Sequence, residues 1–179
     1  MDMELLDWLN ACAFPEESRF ADLDYAARAY GRVVEDVVCG PNTRACVFAT
    51  AHVEATLLLM DMLEKSGLVT MVGKVSMDTS APDGLREPDA ASAARAVRSW
   101  LEAAQGRYER TQPMLTPRFI PSCSDALLRE LGAIQRESGL PVQSHLSENR
   151  GEVQLVRELC PWSAFYGAAY DEYGLFGGD

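Results

Sequence analysis

The sequence has little of what several common protein classes require. Its 179 residues include 16 Lys and Arg against 27 Asp and Glu, a formal net charge of −11. Proteins that bind nucleic acid collect basic residues for the phosphate backbone, so we expect no nucleic-acid partner. No apolar run is long enough to span a bilayer. The first residues, Met1 to Glu4, are acidic where a signal peptide is basic, so we expect no membrane partner and a soluble, cytoplasmic chain.

Cysteine and glycine motifs are also missing. The cysteines are odd in number and scattered, with no Cys-x-x-Cys among them: Cys12, Cys39, Cys46, Cys123 and Cys160. This pattern excludes a disulfide framework and a zinc ribbon, and it is typical of reduced thiols packed as small apolar groups. No Gly-x-Gly-x-x-Gly and no Walker loop follows an apolar run, which disfavours a nucleotide-cradling fold.

What the sequence does contain is an alternation of strand and helix signals. Short apolar runs are expected to be buried strands at 45–49, 68–75, 114–116 and 142–145. Helical periodicity predicts a first short helix at 4–11, and Pro15 is expected to interrupt the helical pattern after it. Further helices are expected at 24–38, 52–65, 89–104, 125–139 and from Asn149 onwards. Ser122 to Asp125 has the spacing of a capping box. Strand–helix alternation with continuously apolar strands predicts an α/β fold with a parallel sheet, either doubly wound or a barrel.

Three groups of residues follow the carboxyl ends of predicted strands. Active sites lie at these ends both in doubly wound sheets and in barrels. The three groups are Thr50 with His52, Arg118 with Phe119, and His145 with Glu148. The third is the most informative, because an imidazole and a carboxylate three residues apart suit a metal-bound water and proton transfer. The chain has two histidines, and we expect His52 to be a strand-end or helix-cap residue rather than a ligand.

Five stretches give the chain a family resemblance. They are LNACAFPEESRF at Leu9 to Phe20, FATAH at Phe48 to His52, VGKVSMD at Val72 to Asp78, TPRFIPSCS at Thr116 to Ser124 and QSHLSEN at Gln143 to Asn149. In this order they resemble the guanine deaminases of the metal-dependent amidohydrolase superfamily. The resemblance covers nearly the whole chain.

The resemblance implies a fold and an activity. The fold would be a partial TIM-like (β/α) barrel, comprising about strands two to five with their helices, so that residues 1–179 form a single incomplete segment of the amidohydrolase barrel domain. The activity would be the zinc-dependent conversion of guanine to xanthine and ammonia in purine catabolism, by a protein whose complete form is a homodimer. It further implies that His145 is a zinc ligand, that Glu148 is the catalytic acid/base, and that Arg118 and Phe119 contact guanine beside His145 and Glu148.

The chain also departs from the family. The His-x-His pair of the first barrel strand is missing, as are a later histidine strand and a metal-binding aspartate. One imidazole cannot hold a catalytic zinc, which normally has three protein ligands. The chain alone is therefore expected to be inactive. Two alternatives stay open: a related amidohydrolase acting on another heterocycle, and a non-catalytic truncated product.

Overall fold

A helical segment opens the chain in the computed structural model, which describes residues 4–176. The segment runs through α1 (Leu5–Trp8), a π-helical turn (Leu9–Ala13), α2 (Phe14–Ser18) and a 3-10 turn (Arg19–Ala21), and is followed by the long α3 (Leu23–Cys39). The expected interruption at Pro15 is wrong. Pro15 lies in the first turn of α2, where a proline ring is tolerated because the missing N–H is less needed. Asp22 caps α3 by accepting from the backbone N–H groups of Asp24 and Tyr25.

Five short parallel strands follow: β1 (Arg44–Phe48), β2 (Val69–Gly73), β3 (Val75–Ser76), β4 (Thr111–Pro113) and β5 (Thr116–Pro117). The strands β1, β2 and β4 form a three-stranded sheet with β2 in the middle, and β3 pairs with β5 in a separate two-stranded sheet. The break at Lys74 divides the predicted strand 68–75 into β2 and β3. The predicted strand 114–116 is wrong in position, because Met114 and Leu115 lie between β4 and β5 and only Thr116 belongs to a strand.

The last predicted strand, 142–145, is wrong in extent. It is reduced to one parallel bridge between Val142 and Leu115. Beyond that bridge, the Ser144 hydroxyl donates to the Pro117 carbonyl at 2.8 Å, and the His145 N–H donates to the Arg118 carbonyl at 3.2 Å. The segment therefore stays beside the end of β5, although side-chain bonds replace part of the regular ladder.

The remaining helices are α4 (Val53–Ser66), α5 (Ala90–Ala104), α6 (Asp125–Ser138), α7 (Arg150–Leu159) and α8 (Tyr166–Glu172). Most bounds agree with the sequence prediction to within two residues. The predicted capping box at Ser122 is wrong, since Ser122 lies in a 3-10 turn and Ser124 caps α6 by accepting from the Leu127 N–H at 3.1 Å. No helix within residues 4–176 is both long and apolar enough to cross a membrane.

The helices cover one face of the sheet. In β2, Val72 is fully buried against α4 and α5, whereas the alternate residues Val69 and Met71 are 44% and 39% exposed. Successive side chains of a strand point to opposite faces. The opposite face of β2 is therefore open in the described part of the chain, as expected of a barrel segment whose interior is not enclosed.

Gly73 is required by the close approach of three strands. A Cβ at this position would lie 1.6 Å from Thr116 Oγ1 and 2.8 Å from Gln143 Nε2. The Gln143 amide itself donates to the Val47 carbonyl at 3.1 Å and to Thr116 Oγ1 at 3.0 Å. Glycine thus leaves the space in which one glutamine links the strands.

Gly73→Ala is expected to destabilise the fold by about 1–3 kcal/mol through overpacking. Urea denaturation followed by circular dichroism measures the change. Gly31 in α3 is the matched control, because a Cβ there meets nothing within 4 Å; Gly31→Ala is expected to be neutral or to stabilise by about 0.5–1 kcal/mol. Equal unfolding midpoints for the two variants would contradict this account of Gly73.

Candidate active site

The residues that sequence analysis selected at the last two strand ends line one cavity of about 290 Å³. Arg118 and Phe119 follow β5, and His145 and Glu148 follow the Val142 bridge. The cavity is completed by residues from α1 to α2 and from the end of β1 and the start of β3: Leu5, Trp8, Leu9, Ala13, Glu17, Phe48, Ala49 and Val75. The parallel topology thus brings the four residues together, while their roles in binding and catalysis stay predictions.

His145 is held by the backbone of Arg118. Its ring Nδ1 lies 2.8 Å from the Arg118 carbonyl oxygen. A carbonyl can only accept, so the neutral imidazole carries its proton on Nδ1 and keeps a lone pair on Nε2. Metal-binding histidines use this arrangement, in which the second ring nitrogen donates to a fixed oxygen. The Phe48 ring also packs against the imidazole, with 4.5 Å between ring centroids.

Glu148 is exposed at the rim of the cavity. The chain turns sharply before it, because Ser147 has a φ of 56°, in the left-handed region that few non-glycine residues adopt. The Glu148 N–H then donates to Glu152 Oε2 at 2.7 Å, and Asn149 and Glu152 form a capping box at the start of α7. The backbone of Glu148 is therefore fixed, while the residue is exposed and lines the cavity.

The carboxylate that anchors this turn is itself buried. Glu152 is fully buried, and its Oε1 accepts from the Tyr166 hydroxyl at 2.5 Å. Burial raises the pKa of Tyr166 above its ordinary value, and the nearby Tyr170 and Glu152 raise it further. The phenol therefore stays protonated and donates to Glu152, which supports the loop that carries Glu148.

Arg118 is buried between a carboxylate and an aromatic ring. Its Nη1 lies 2.6 Å from Glu17 Oε2, and its Cζ lies 5.0 Å from the centre of the Phe14 ring. Phe119 is 3% exposed and packs with Leu9 and other core residues. It contributes an edge to the cavity but most of its ring belongs to the core.

Thr50 and His52, the first predicted group, do not line this cavity. His52 precedes α4, where its carbonyl accepts from the Thr56 hydroxyl at 2.9 Å and its N–H donates to Thr50 Oγ1 at 3.2 Å. Burial lowers the pKa of His52 below its ordinary value, and the Lys74 ammonium lowers it further, while Glu87 and Glu17 act in the opposite direction. His52 is thus a helix-start histidine, as the sequence predicts.

A zinc site cannot be completed from these residues. Residues 4–176 contain no cluster of three His, Cys, Asp or Glu side chains able to hold a metal. The tautomer of His145 fits one ligand, but a catalytic zinc normally needs three. In the described part of the chain, His145 therefore has no cluster of further ligands around it that would complete a zinc site.

Sequence reasoning missed Glu17, Phe48 and Trp8 as cavity residues. Glu17 lies within the LNACAFPEESRF stretch and Phe48 begins FATAH, so both were in motifs that carried the resemblance. Trp8 is half-buried, lines the cavity and packs against core residues, whereas Phe14 is 1% exposed in the core.

Comparison with known proteins identifies the family of this chain. The amidohydrolase family model matches residues 1–177. The chain belongs to the amidohydrolase family. Human guanine deaminase is 41% identical to this amidohydrolase over 177 residues, covering 98% of the chain and 39% of the human protein. The chain thus spans about two fifths of the length of the curated relatives it matches.

Solved structures agree on the fold. A guanine deaminase from C. acetobutylicum with bound guanine in its active site superposes with a TM-score of 0.95 and 44% identity, covering 99% of this chain and 42% of that one. A zinc-bound adenosine deaminase from Xanthomonas campestris superposes with a TM-score of 0.75 at 16% identity, covering 97% of this chain and 37% of that one, and so supports the fold alone. The predicted partial barrel with a parallel sheet is confirmed.

His52 is expected to titrate below about 6.5, the ordinary value for histidine, because its burial disfavours the charged ring. A folded-state pKa below the unfolded value means that the unfolded chain binds the extra proton. The stability contributed by neutral His52 is therefore present above about pH 6.5 and is lost as the pH falls through the folded pKa.

NMR titration of the imidazole signals measures this pKa. His145→Gln leaves His52 as the single imidazole, since the chain has two histidines. His52→Gln is expected to flatten the acid side of the stability curve measured by urea denaturation. A His52 midpoint at or above 6.5 would refute the effect of burial.

Proposed function

We propose that this chain supplies the purine-binding and proton-transferring part of a guanine deaminase, which converts guanine to xanthine and ammonia in purine catabolism. One observation carries the proposal: Arg118, His145 and Glu148 line a single cavity in a chain 44% identical to a guanine deaminase whose structure holds guanine. We further propose a cytoplasmic homodimer for the complete protein. The family resemblance supports these two points.

Arg118 is proposed to donate to the purine carbonyl. Its guanidinium is planar and always charged, and its donors have a fixed geometry. The Glu17 carboxylate occupies Nη1, which leaves the other N–H groups for a ligand. Phe119 offers an edge, and the ring of Phe48 packs against the His145 imidazole. These residues account for binding a flat, carbonyl-bearing heterocycle.

Glu148 is proposed to move protons between the attacking water, the ring nitrogen and the leaving amine. A carboxylate with this role is needed in base deaminases. The position of Glu148 supports it, because the backbone is fixed by Glu152 while the side chain stays accessible at the rim. A general acid/base must reach its substrate without being locked in a structural ion pair.

Zinc supplies an activated water to such enzymes when it is bound. His145 would be one ligand through Nε2, given that Nδ1 is engaged by Arg118. The other ligands would have to come from outside the described residues. His145 and Glu148 thus place one donor and one proton carrier together, and the remaining chemistry depends on parts of the complete protein.

The purified 179-residue chain is expected not to deaminate guanine, because residues 4–176 cannot form a three-ligand zinc site. Ammonia release from guanine in the presence of zinc measures the activity, with zinc alone as the control. Turnover above that control, abolished in a His145→Ala variant, would show that this chain completes a site by itself.

A chimera tests the proposed function directly. The matching region of the C. acetobutylicum guanine deaminase is replaced by this chain, which superposes over 99% of its length. The chimera is expected to release ammonia from guanine, and Glu148→Gln within it to lower kcat by about 10²-fold or more, since an amide cannot relay a proton.

The chimera needs a control for folding. Gln154→Glu, an exposed change on α7, alters charge near the same helix without touching the cavity and is expected to keep full activity. Zinc content and guanine binding should be unchanged in Glu148→Gln. An inactive chimera that binds zinc and folds cooperatively would argue against the proposed function, and near-normal turnover in Glu148→Gln would remove Glu148 from the mechanism.

A further inference from the structure

Glu17 is the acidic residue that the N-terminal helical segment (residues 5–21) contributes to the cavity. It lies in α2, 101 residues before Arg118 in sequence, and its Oε2 accepts from Arg118 Nη1 at 2.6 Å. The two side chains are 22% and 9% exposed, respectively. The contact therefore links the helical segment to the end of β5 inside a largely desolvated part of the cavity wall.

This ion pair differs from its neighbour on the same segment. Glu16 pairs with Arg19 at 3.0 Å, but both side chains are more than half exposed. Exposed pairs contribute little to stability, whereas removing one member of a buried pair leaves an uncompensated charge. Glu16 and Glu17 thus provide adjacent carboxylates of the same chemistry in two different environments.

The Glu17 contact restricts how Arg118 can be oriented. The guanidinium lies between the carboxylate and the Phe14 ring, with 5.0 Å from Cζ to the ring centre, and Phe14 is itself buried. Within residues 4–176 the Arg118 side chain has no hydrogen-bond partner besides Glu17. One edge of the guanidinium is therefore fixed, and its remaining donors are free for a ligand in the cavity.

The pair also sets the charge at this end of the cavity. An ionised Glu17 neutralises Arg118, so the free N–H groups act as hydrogen-bond donors rather than as an anchor for an anion. A neutral base with a carbonyl group suits such donors. The chemistry matches a carbonyl-bearing purine better than a phosphate or a carboxylate ligand.

We propose that Glu17 is a positioning residue that orients the Arg118 guanidinium toward the purine carbonyl, so that selectivity for carbonyl-bearing purines depends on Glu17. This inference rests on the proposed function, in which Arg118 contacts that carbonyl. Glu17 acts through Arg118 and has no part in the bond-breaking step.

Calorimetric titration of the 179-residue chain with two purines tests the proposal. Guanine carries the carbonyl, and 2-aminopurine keeps the ring system and the amino group but lacks it. Glu17→Ala is expected to raise the Kd for guanine about tenfold, the loss typical of a hydrogen bond to a charged group, and to leave the Kd for 2-aminopurine within about twofold. Glu17→Gln, which keeps an oxygen acceptor, is expected to recover part of the guanine affinity.

Glu16→Ala is the matched control and is expected to change neither Kd. Equal losses for guanine and 2-aminopurine in Glu17→Ala would indicate a merely structural role and would overturn the proposal. Unchanged guanine binding in Glu17→Ala would overturn it as well.

A measurement without ligand separates this proposal from the proposed function. In a double-mutant cycle of Glu17→Ala and Arg118→Met, the unfolding equilibrium constant of the double variant is expected to differ by at least about twofold from the value that the two single changes predict together. Additive effects would show that Glu17 does not fix Arg118. If the cycle shows coupling but the wild-type chain binds neither purine, the proposed function and the purine selectivity are refuted. Glu17 is then only the structural partner of Arg118.

Discussion

The backbone carbonyl of Arg118 is the acceptor on which the site depends. It receives the His145 N–H at 3.2 Å and the His145 ring Nδ1 at 2.8 Å. The first bond keeps the chain after Val142 beside the end of β5, and the second fixes the ring and its tautomer. The same residue carries the guanidinium of the cavity wall. One position thus sets the orientation of the imidazole and supplies the main cationic donor.

Two residues before Arg118 and His145, polar contacts of Thr116 and Gln143 support that arrangement. Gln143 bridges the Val47 carbonyl and Thr116 Oγ1, and Gly73 leaves the space for both groups. These bonds tie β1 and β5 to a segment that has almost no regular ladder of its own. The strand ends therefore converge even though each strand is short.

The chain covers about two fifths of the length of its relatives. Its described residues form one part of a barrel and not a closed one. Val69 and Met71 leave one face of β2 open, and the described residues provide one imidazole near the cavity but no three-ligand metal cluster. The four residues predicted for substrate binding and proton transfer nevertheless line one cavity in this part of a barrel. Local crossovers build this edge of the sheet, because each helix returns the chain to the next parallel strand.

The sequence by itself determined the alternation of strands and helices, the start of a helix at Asn149, and the convergence of Arg118, His145 and Glu148. Periodicity and capping are local, and parallel strands must end at the same edge. Only the tertiary structure decided that Pro15 continues a helical segment, that Phe119 is mostly core, and that Glu17 pairs with Arg118. The physical reason is that these outcomes depend on packing between segments as much as 101 residues apart, which no local pattern encodes.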